Sequence, residues 1–231
     1  MKKMLKYTLS VTAVAALTAC GGGGGSSGGN AVTSIPLRTV IQKVLTTAAT
    51  YSATSSDGTT LSVTLTPGAD AAFSAQTPIS KTVNMSTLAR NSSGVLDTKQ
   101  QVLYFNASPL FFVAVEGRKI DVTTSIPETA VVSGSGQMYL SNGNGRGLFS
   151  TPPLEGTWSV EAANDGKMWA CITNKLGYGL LSSSGFETTT ISTYCFKSDE
   201  QGNISGFKAS TSTDERSTSR TPVVATLTFG G

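Results

Sequence analysis

TWSVEAANDGKMWAC, residues 157–171, holds two alternating apolar runs on either side of Asp165-Gly166. An Asp-Gly dipeptide between such runs is a strong local signal for a hairpin with a two-residue turn. That turn pairs Asn164 with Lys167 and places one set of side chains on a common face: Trp158, Val160, Ala162, Trp169 and Cys171. The stretch therefore predicts an antiparallel hairpin with both tryptophans in the core.

Short alternating runs of this kind recur along the chain, and turn residues separate them. Predicted strands are 59–68, 81–89, 95–105, 110–115, 157–163, 167–173, 189–196, 204–210 and 223–229. In residues 37–45 the apolar side chains also fit helical spacing, so that segment is ambiguous between strand and helix. Only 13% of residues are charged and Ser, Thr and Gly are abundant, which favours an all-β fold: an antiparallel sandwich or a barrel-like sheet.

A loop-rich stretch, residues 116–137, is the best candidate boundary within the folded part. It predicts an N-terminal β lobe over 31–125 and a C-terminal β lobe with both tryptophans over 126–231. No internal repeat supports a duplication, so a single domain with two lobes is the alternative.

The first 19 residues have the parts of a secretory signal: Lys2, Lys3 and Lys6, an apolar stretch from Tyr7, and small residues before Cys20. Leu17-Thr18-Ala19-Cys20 resembles the lipobox of bacterial lipoproteins. The resemblance implies cleavage before Cys20 and acylation of its thiol and new amino terminus. It also implies an outer-membrane address, because Gly21 stands where aspartate would favour the inner membrane. An ordinary secreted protein is the alternative.

Residues 20–30 then form the lipidated cysteine and a Gly/Ser tether, whose composition is typical of a flexible linker. Three of the 17 Lys and Arg residues lie in the signal, which leaves 14 basic against 14 acidic side chains in the mature chain. This balance argues against nucleic-acid binding, which depends on clustered Lys and Arg. The membrane is contacted through the lipid anchor, and the expected partner is another envelope protein or a glycan.

Cys171 and Cys195 are the cysteines that remain once Cys20 is acylated. An even pair in an exported chain predicts a disulfide, and a loop of about two dozen residues gives on the order of 3 kcal/mol. A metal or redox role lacks both a CxxC spacing and a histidine, so we expect no metal and no cofactor.

The chain contains no histidine, which excludes Ser-His-Asp and Cys-His catalysis. We therefore assign no catalytic residue and expect a non-catalytic binding or scaffold module. Two alternatives stay open. A carboxylate-based hydrolase would use two of Glu155, Glu161, Asp165 and Glu187 across a cleft. A glycan-binding module would need several of Tyr104, Tyr139 and Tyr178 to be exposed in a row.

Overall fold

The fold is all-β with antiparallel strands, as the alternating sequence pattern predicts. The computed structural model of the protein describes residues 33–143, 153–179, 186–217 and 220–230. The signal, Cys20 and the tether lie outside these residues. Within them there are sixteen strands and one helix, and two large sheets face each other as a sandwich.

The first sheet comes from the N-terminal half and has the strand order β2-β3-β5-β6-β7-β8, with β4 paired to β5. Its members are β2 (Ala49–Thr54), β3 (Thr60–Pro67), β4 (Ala71–Ala72), β5 (Ile79–Asn91), β6 (Gly94–Ala107), β7 (Leu110–Val115) and β8 (Arg118–Lys119).

The second sheet comes from the C-terminal half and has the order β16-β15-β14-β13-β12-β11-β9. Its members are β9 (Val122–Thr123), β11 (Ser135–Ser141), β12 (Leu154–Ala162), β13 (Met168–Gly179), β14 (Phe186–Ser198), β15 (Ile204–Ser217) and β16 (Arg220–Phe229). A separate short pair joins β1 (Ser34–Ile35) to β10 (Ala130–Val131).

One hydrophobic cluster lies between the two sheets and takes side chains from both. On β3, Leu61, Val63 and Leu65 are buried while the serine and threonines between them face outward. This alternation has period two, as expected of strands with one solvated face. The chain crosses from the first sheet to the second between β8 and β9, inside the loop-rich stretch that the sequence analysis singles out.

The ambiguous segment forms the helix α1 (Leu37–Thr46). Its five buried residues follow helical spacing and close the core against β3 and β13: Leu37, Val40, Ile41, Val44 and Leu45. Arg38 Nε donates a 2.8 Å hydrogen bond to the Ile126 carbonyl, and Lys43 Nζ donates one of 3.0 Å to the Gly202 carbonyl. The two long side chains therefore tie the helix to loops of the second half.

The predicted register of the tryptophan hairpin is wrong by one residue. Ala162 pairs with Met168, and Glu161 pairs with Trp169. The reason is the turn: the Ala163 N–H bonds to the Lys167 carbonyl at 2.9 Å, so the connection has three residues and ends on Gly166 at φ 78°. Such a loop places its last residue in the left-handed region and shifts the register by one. Trp169 and Cys171 therefore lie on the outer face of the sheet, opposite to Trp158.

Replacing Gly166 tests this turn. Gly166→Ala is expected to lower the free energy of unfolding by about 1 kcal/mol, because an L-residue is strained at positive φ. A methyl group there would meet nothing within 4 Å, so the loss is conformational. Gly166→Asn should cost less, since asparagine tolerates this conformation better. Urea unfolding of the three proteins measures both values; equal stability of all three would contradict the three-residue loop.

Candidate functional site

The disulfide predicted between Cys171 and Cys195 is confirmed. The two cysteines lie directly opposite each other on β13 and β14, and both are buried beside Trp169 and Ala163 in a small cluster on the outer face. Glu161 lies near both sulfur atoms. Because the sulfurs are bonded to each other, they are not available as thiolate ligands for a metal ion.

Two lysines have their ammonium groups over the ring of Trp169. The Nζ atoms of Lys197 and Lys208 are each 4.9 Å from the centre of its ring, a distance at which a cation interacts favourably with an indole face. Lys197 also pairs with Asp165 at 3.3 Å, and Lys208 pairs with Glu161 at 2.8 Å. The cluster is internally charge-balanced and covers the disulfide, which favours a structural role for it.

The hydrolase alternative receives no support from these carboxylates. Glu161 and Asp165 come together at the Trp169 cluster, but each is neutralised by a lysine. Glu155 lies on the outer face of β12 opposite Lys175 of β13. The side chain of Glu187 lies outside the described residues.

Tyr139 does not belong to the row of exposed tyrosines that a glycan-binding module would need. Tyr139 is 1% exposed and packs in the core, where its hydroxyl donates a hydrogen bond to Asn174 Oδ1. Tyr104 is half-buried on the outer face of the first sheet, and the side chain of Tyr178 lies outside the described residues. Tyr139 therefore cannot share an exposed binding surface with Tyr104.

A groove of about 730 Å³ lies beside β6, and we call it the β6 groove. It exists because β6 has 14 residues whereas its neighbour β7 has six. β7 pairs with Tyr104 to Ala107 alone, so one edge of residues 94–103 has no strand partner in the described part of the chain. Backbone N–H and C=O groups on such an edge are free to pair with another chain.

Polar side chains line the floor of the β6 groove. Strand register places Thr64, Ser86 and Gln100 in one row across three strands, and Thr66, Asn84 and Val102 in the next. Phe73 and Tyr104 close one end, with their rings 5.3 Å apart in an edge-to-face arrangement. The groove thus offers hydroxyls, amides and an aromatic wall.

An ion pair marks the other end of the β6 groove. Lys99 Nζ lies 2.6 Å from a carboxylate oxygen of Glu116, whose side chain is 13% exposed. Glu116 and Gly117 form the turn between β7 and β8 with φ of 53° and 69°. A non-glycine residue in this conformation is strained, so the fold tolerates Glu116 where asparagine or glycine would suit the turn better.

One buried polar atom at the groove has no partner. Gln101 Nε2 donates to Met85 Sδ at 3.3 Å, while Gln101 Oε1 is buried without a hydrogen bond among the described residues. Buried acceptors are normally paired, so an unpaired one is a vacant hydrogen-bonding position. This position lies beside the free edge of β6.

Burial and the charge of Glu116 raise the pKa of two tyrosines that pack in the core. Burial raises the pKa of Tyr194 to about 12, and the Glu116 carboxylate adds to the shift. Burial together with the same carboxylate also raises the pKa of Tyr139. Both hydroxyls therefore stay protonated near neutral pH, and that of Tyr139 donates to Asn174 Oδ1.

Sequence reasoning missed the β6 groove, although a signal for it was present. The predicted strand 95–105 is almost twice as long as its predicted neighbour 110–115, and a hairpin with arms of unequal length leaves part of the longer arm unpaired. Lys99, Gln101 and Glu116 carry no motif that would single them out.

No helix among the described residues is long and apolar enough to span a membrane. No protein-family model matches the chain, and no curated protein or solved structure is significantly similar to it.

Proposed function

We propose that this chain is a lipid-anchored protein of the bacterial cell envelope that acts as a non-catalytic binding or scaffold module. The lipobox-like residues ending at Cys20 support the anchor, and Gly21 supports the outer membrane. The Gly/Ser tether after Cys20 would let the folded part reach roughly 17 Å from its attachment point. The membrane contact is then made by the lipid chains.

The unpaired edge of residues 94–103 carries the proposal. An extended segment of a partner can add to such an edge as a further strand. Main-chain hydrogen bonds supply affinity in this mode of binding, and alternate side chains supply specificity. The Lys99–Glu116 pair lies beside the edge and is placed to contact the added strand.

Binding rather than hydrolysis is favoured by the charges at the groove. Glu116 is the one carboxylate among the residues that line it, and Lys99 neutralises that carboxylate. Glycoside hydrolysis generally requires two carboxyl groups on opposite sides of the scissile bond. The groove therefore has the composition of a binding surface.

A glycan is the second candidate ligand, and the outer part of the β6 groove favours it. Phe73 and Tyr104 offer ring faces and edges, and Asn84 and Gln100 offer amide donors and acceptors beside the hydroxyls of the floor. Convergent polar groups with an aromatic surface suit a ligand rich in hydroxyl groups. A strand and a glycan would contact different parts of the groove.

A photo-crosslinking residue, p-benzoylphenylalanine, placed at Gln100 in cells tests the proposal. Gln100 is exposed and lies next to the free edge. We expect one protein adduct of fixed mass, with a lower yield in the Cys20→Ala variant, because an unanchored chain meets an envelope partner less often. Mass spectrometry of the adduct identifies the captured protein.

The matched control carries the same photo-crosslinking residue at Ser52 of β2. Ser52 is exposed on the same outer face of the first sheet as Gln100 but lies outside the groove. Equal yields from Gln100 and Ser52, or no adduct from either, would contradict binding at the groove. An adduct that a glycosidase removes would instead support the glycan candidate.

A further inference from the structure

The free edge of β6 carries a bulge and two charges, Asp97 and Lys99, but no proline. Natural edges are blocked by proline, by bulges, by charge or by a covering loop. Residues 94–103 contain no proline, and their bulge lies near the hairpin tip, between the pairs Ala89–Asp97 and Arg90–Val95. Val95 is 65% exposed and Leu96 is 56% exposed at that tip. An edge of this kind is suited to pairing with another strand.

The sequence of the edge is complementary to itself. In an antiparallel pair of two identical strands centred on Thr98, Asp97 of each copy lies directly opposite Lys99 of the other. Opposite charges at directly facing positions stabilise antiparallel pairs, and like charges destabilise them. Centring the pair on Asp97 or on Lys99 would instead place two carboxylates or two ammonium groups face to face. Charge therefore selects Thr98 as the centre.

The β6 groove has room for the tip of a second hairpin. With Thr98 at the centre, the bulged tip of one copy, Val95 and Leu96, comes beside Gln100 and Gln101 of the other. The tip then enters the 730 Å³ space that β7 leaves when it ends at Val115. Val102, which is 37% exposed there, would gain apolar contact with the tip.

The Asp97 side chain is exposed and has no hydrogen bond or ion pair among the residues that the structure describes. Lys99 pairs with Glu116 through one of three ammonium protons, so it keeps donors for a second carboxylate. The two charges are thus available for a contact between chains.

We infer that two copies of this chain associate through β6, in antiparallel register centred on Thr98, so that one continuous sheet runs through both molecules. This inference rests on the proposed function, since it names the partner of the β6 groove as a second copy. The association is symmetric, because each copy uses the same edge.

A new cysteine at the centre of the pair tests the register. The Cα atoms of facing residues in antiparallel strands lie about 4.5–5.5 Å apart, which is within the Cα–Cα range for a disulfide. The full chain with Thr98→Cys, in a Cys20→Ser background that leaves no other free thiol, is expected to form a covalent dimer on mild oxidation. In the control Val95→Cys, the two thiols would be about five positions apart along the pair, roughly 17 Å, and should not bond.

Sedimentation of the full chain without new cysteines gives a second measurement. Asp97→Lys is expected to weaken the dimer about tenfold, because two attractive pairs become repulsive. Glu200→Lys makes the same charge change on an exposed residue of the β14–β15 turn and should leave the dimer unchanged. A dimer that tolerates Asp97→Lys would overturn the inference, as would a chain that sediments as a monomer.

The failure of this inference is distinguishable from the failure of the proposed function. If Thr98→Cys stays monomeric while the probe at Gln100 captures a different protein, the assignment of the partner as a second copy is wrong. The β6 groove is then still supported as a binding surface. Equal oxidation of Thr98→Cys and Val95→Cys indicates random collision and also overturns the inference. If neither experiment captures a protein, both proposals fail.

Discussion

Removing the disulfide with Cys171→Ala/Cys195→Ala is expected to lower the free energy of unfolding by about 3 kcal/mol. The bond closes a loop with a sequence separation of 24 residues, and its loss frees that loop in the unfolded chain. Trp169 packs against both cysteines in the folded protein, so the same substitution also removes part of the surface on which the indole ring packs. Urea unfolding of the full chain measures the difference.

Thr173→Ala/Thr193→Ala is the matched control. These threonines occupy the next outward-facing pair on the same two strands, and their hydroxyls share a hydrogen bond of 2.9 Å. We expect this control to lose about 1 kcal/mol, the usual contribution of one hydrogen bond. If both double variants lost equal stability, the covalent link would contribute nothing beyond an ordinary cross-strand pair.

Gly156→Ala is expected to cost about 3 kcal/mol or more, the upper end for inserting a methyl group into a packed core. A methyl group at this position would overlap the ring of Tyr139, which is 1% exposed. The ring cannot move away freely, because Phe112 packs against it with ring centres 5.2 Å apart. Its hydroxyl is also held by the hydrogen bond that it donates to Asn174 Oδ1. Thermal unfolding measures the loss, and near-ultraviolet circular dichroism reports the tyrosine environment.

Gly177→Ala is the control for this substitution, since it adds the same methyl group on the adjacent strand. There the nearest atoms belong to the Pro153 ring at 3.4 and 3.5 Å, close to ordinary contact distance. We expect a change within about 0.5 kcal/mol. Equal stabilities of the two alanine variants would mean that Tyr139 is not packed against Gly156.

Local patterns predicted the strands well. All nine predicted strands are present, because alternation of apolar and polar residues is sufficient to identify a strand with one buried face. Most of them are longer than predicted: 189–196 extends to Phe186–Ser198, and 204–210 extends to Ile204–Ser217. Seven strands lie outside the prediction: β2, β11 and the five two-residue strands β1, β4, β8, β9 and β10. In β11 the glycine at 136 weakens the alternating pattern.

The hairpin register shows the limit of local reasoning. Asp165-Gly166 is compatible with a two-residue turn and with a three-residue loop that ends on the glycine. The first arrangement would put Trp169 and Cys171 inside the sandwich. The second puts Trp169 beside Lys197 of the next strand and over Gly206 of the one after it, where the space for the indole exists. Contacts with β14 and β15 are invisible in the hairpin sequence alone.

Side-chain periodicity and the two cysteines of the folded part, Cys171 and Cys195, are enough to predict an all-β chain with one disulfide, because both are properties of the local sequence. The tertiary structure decided the helical state of Leu37–Thr46, the hairpin register and the free edge of β6. The helix depends on contacts with β3 and β13, and the hairpin register depends on contacts with β14 and β15. The free edge depends on where β7 ends. The free energy that selects among locally equivalent arrangements comes from those distant contacts.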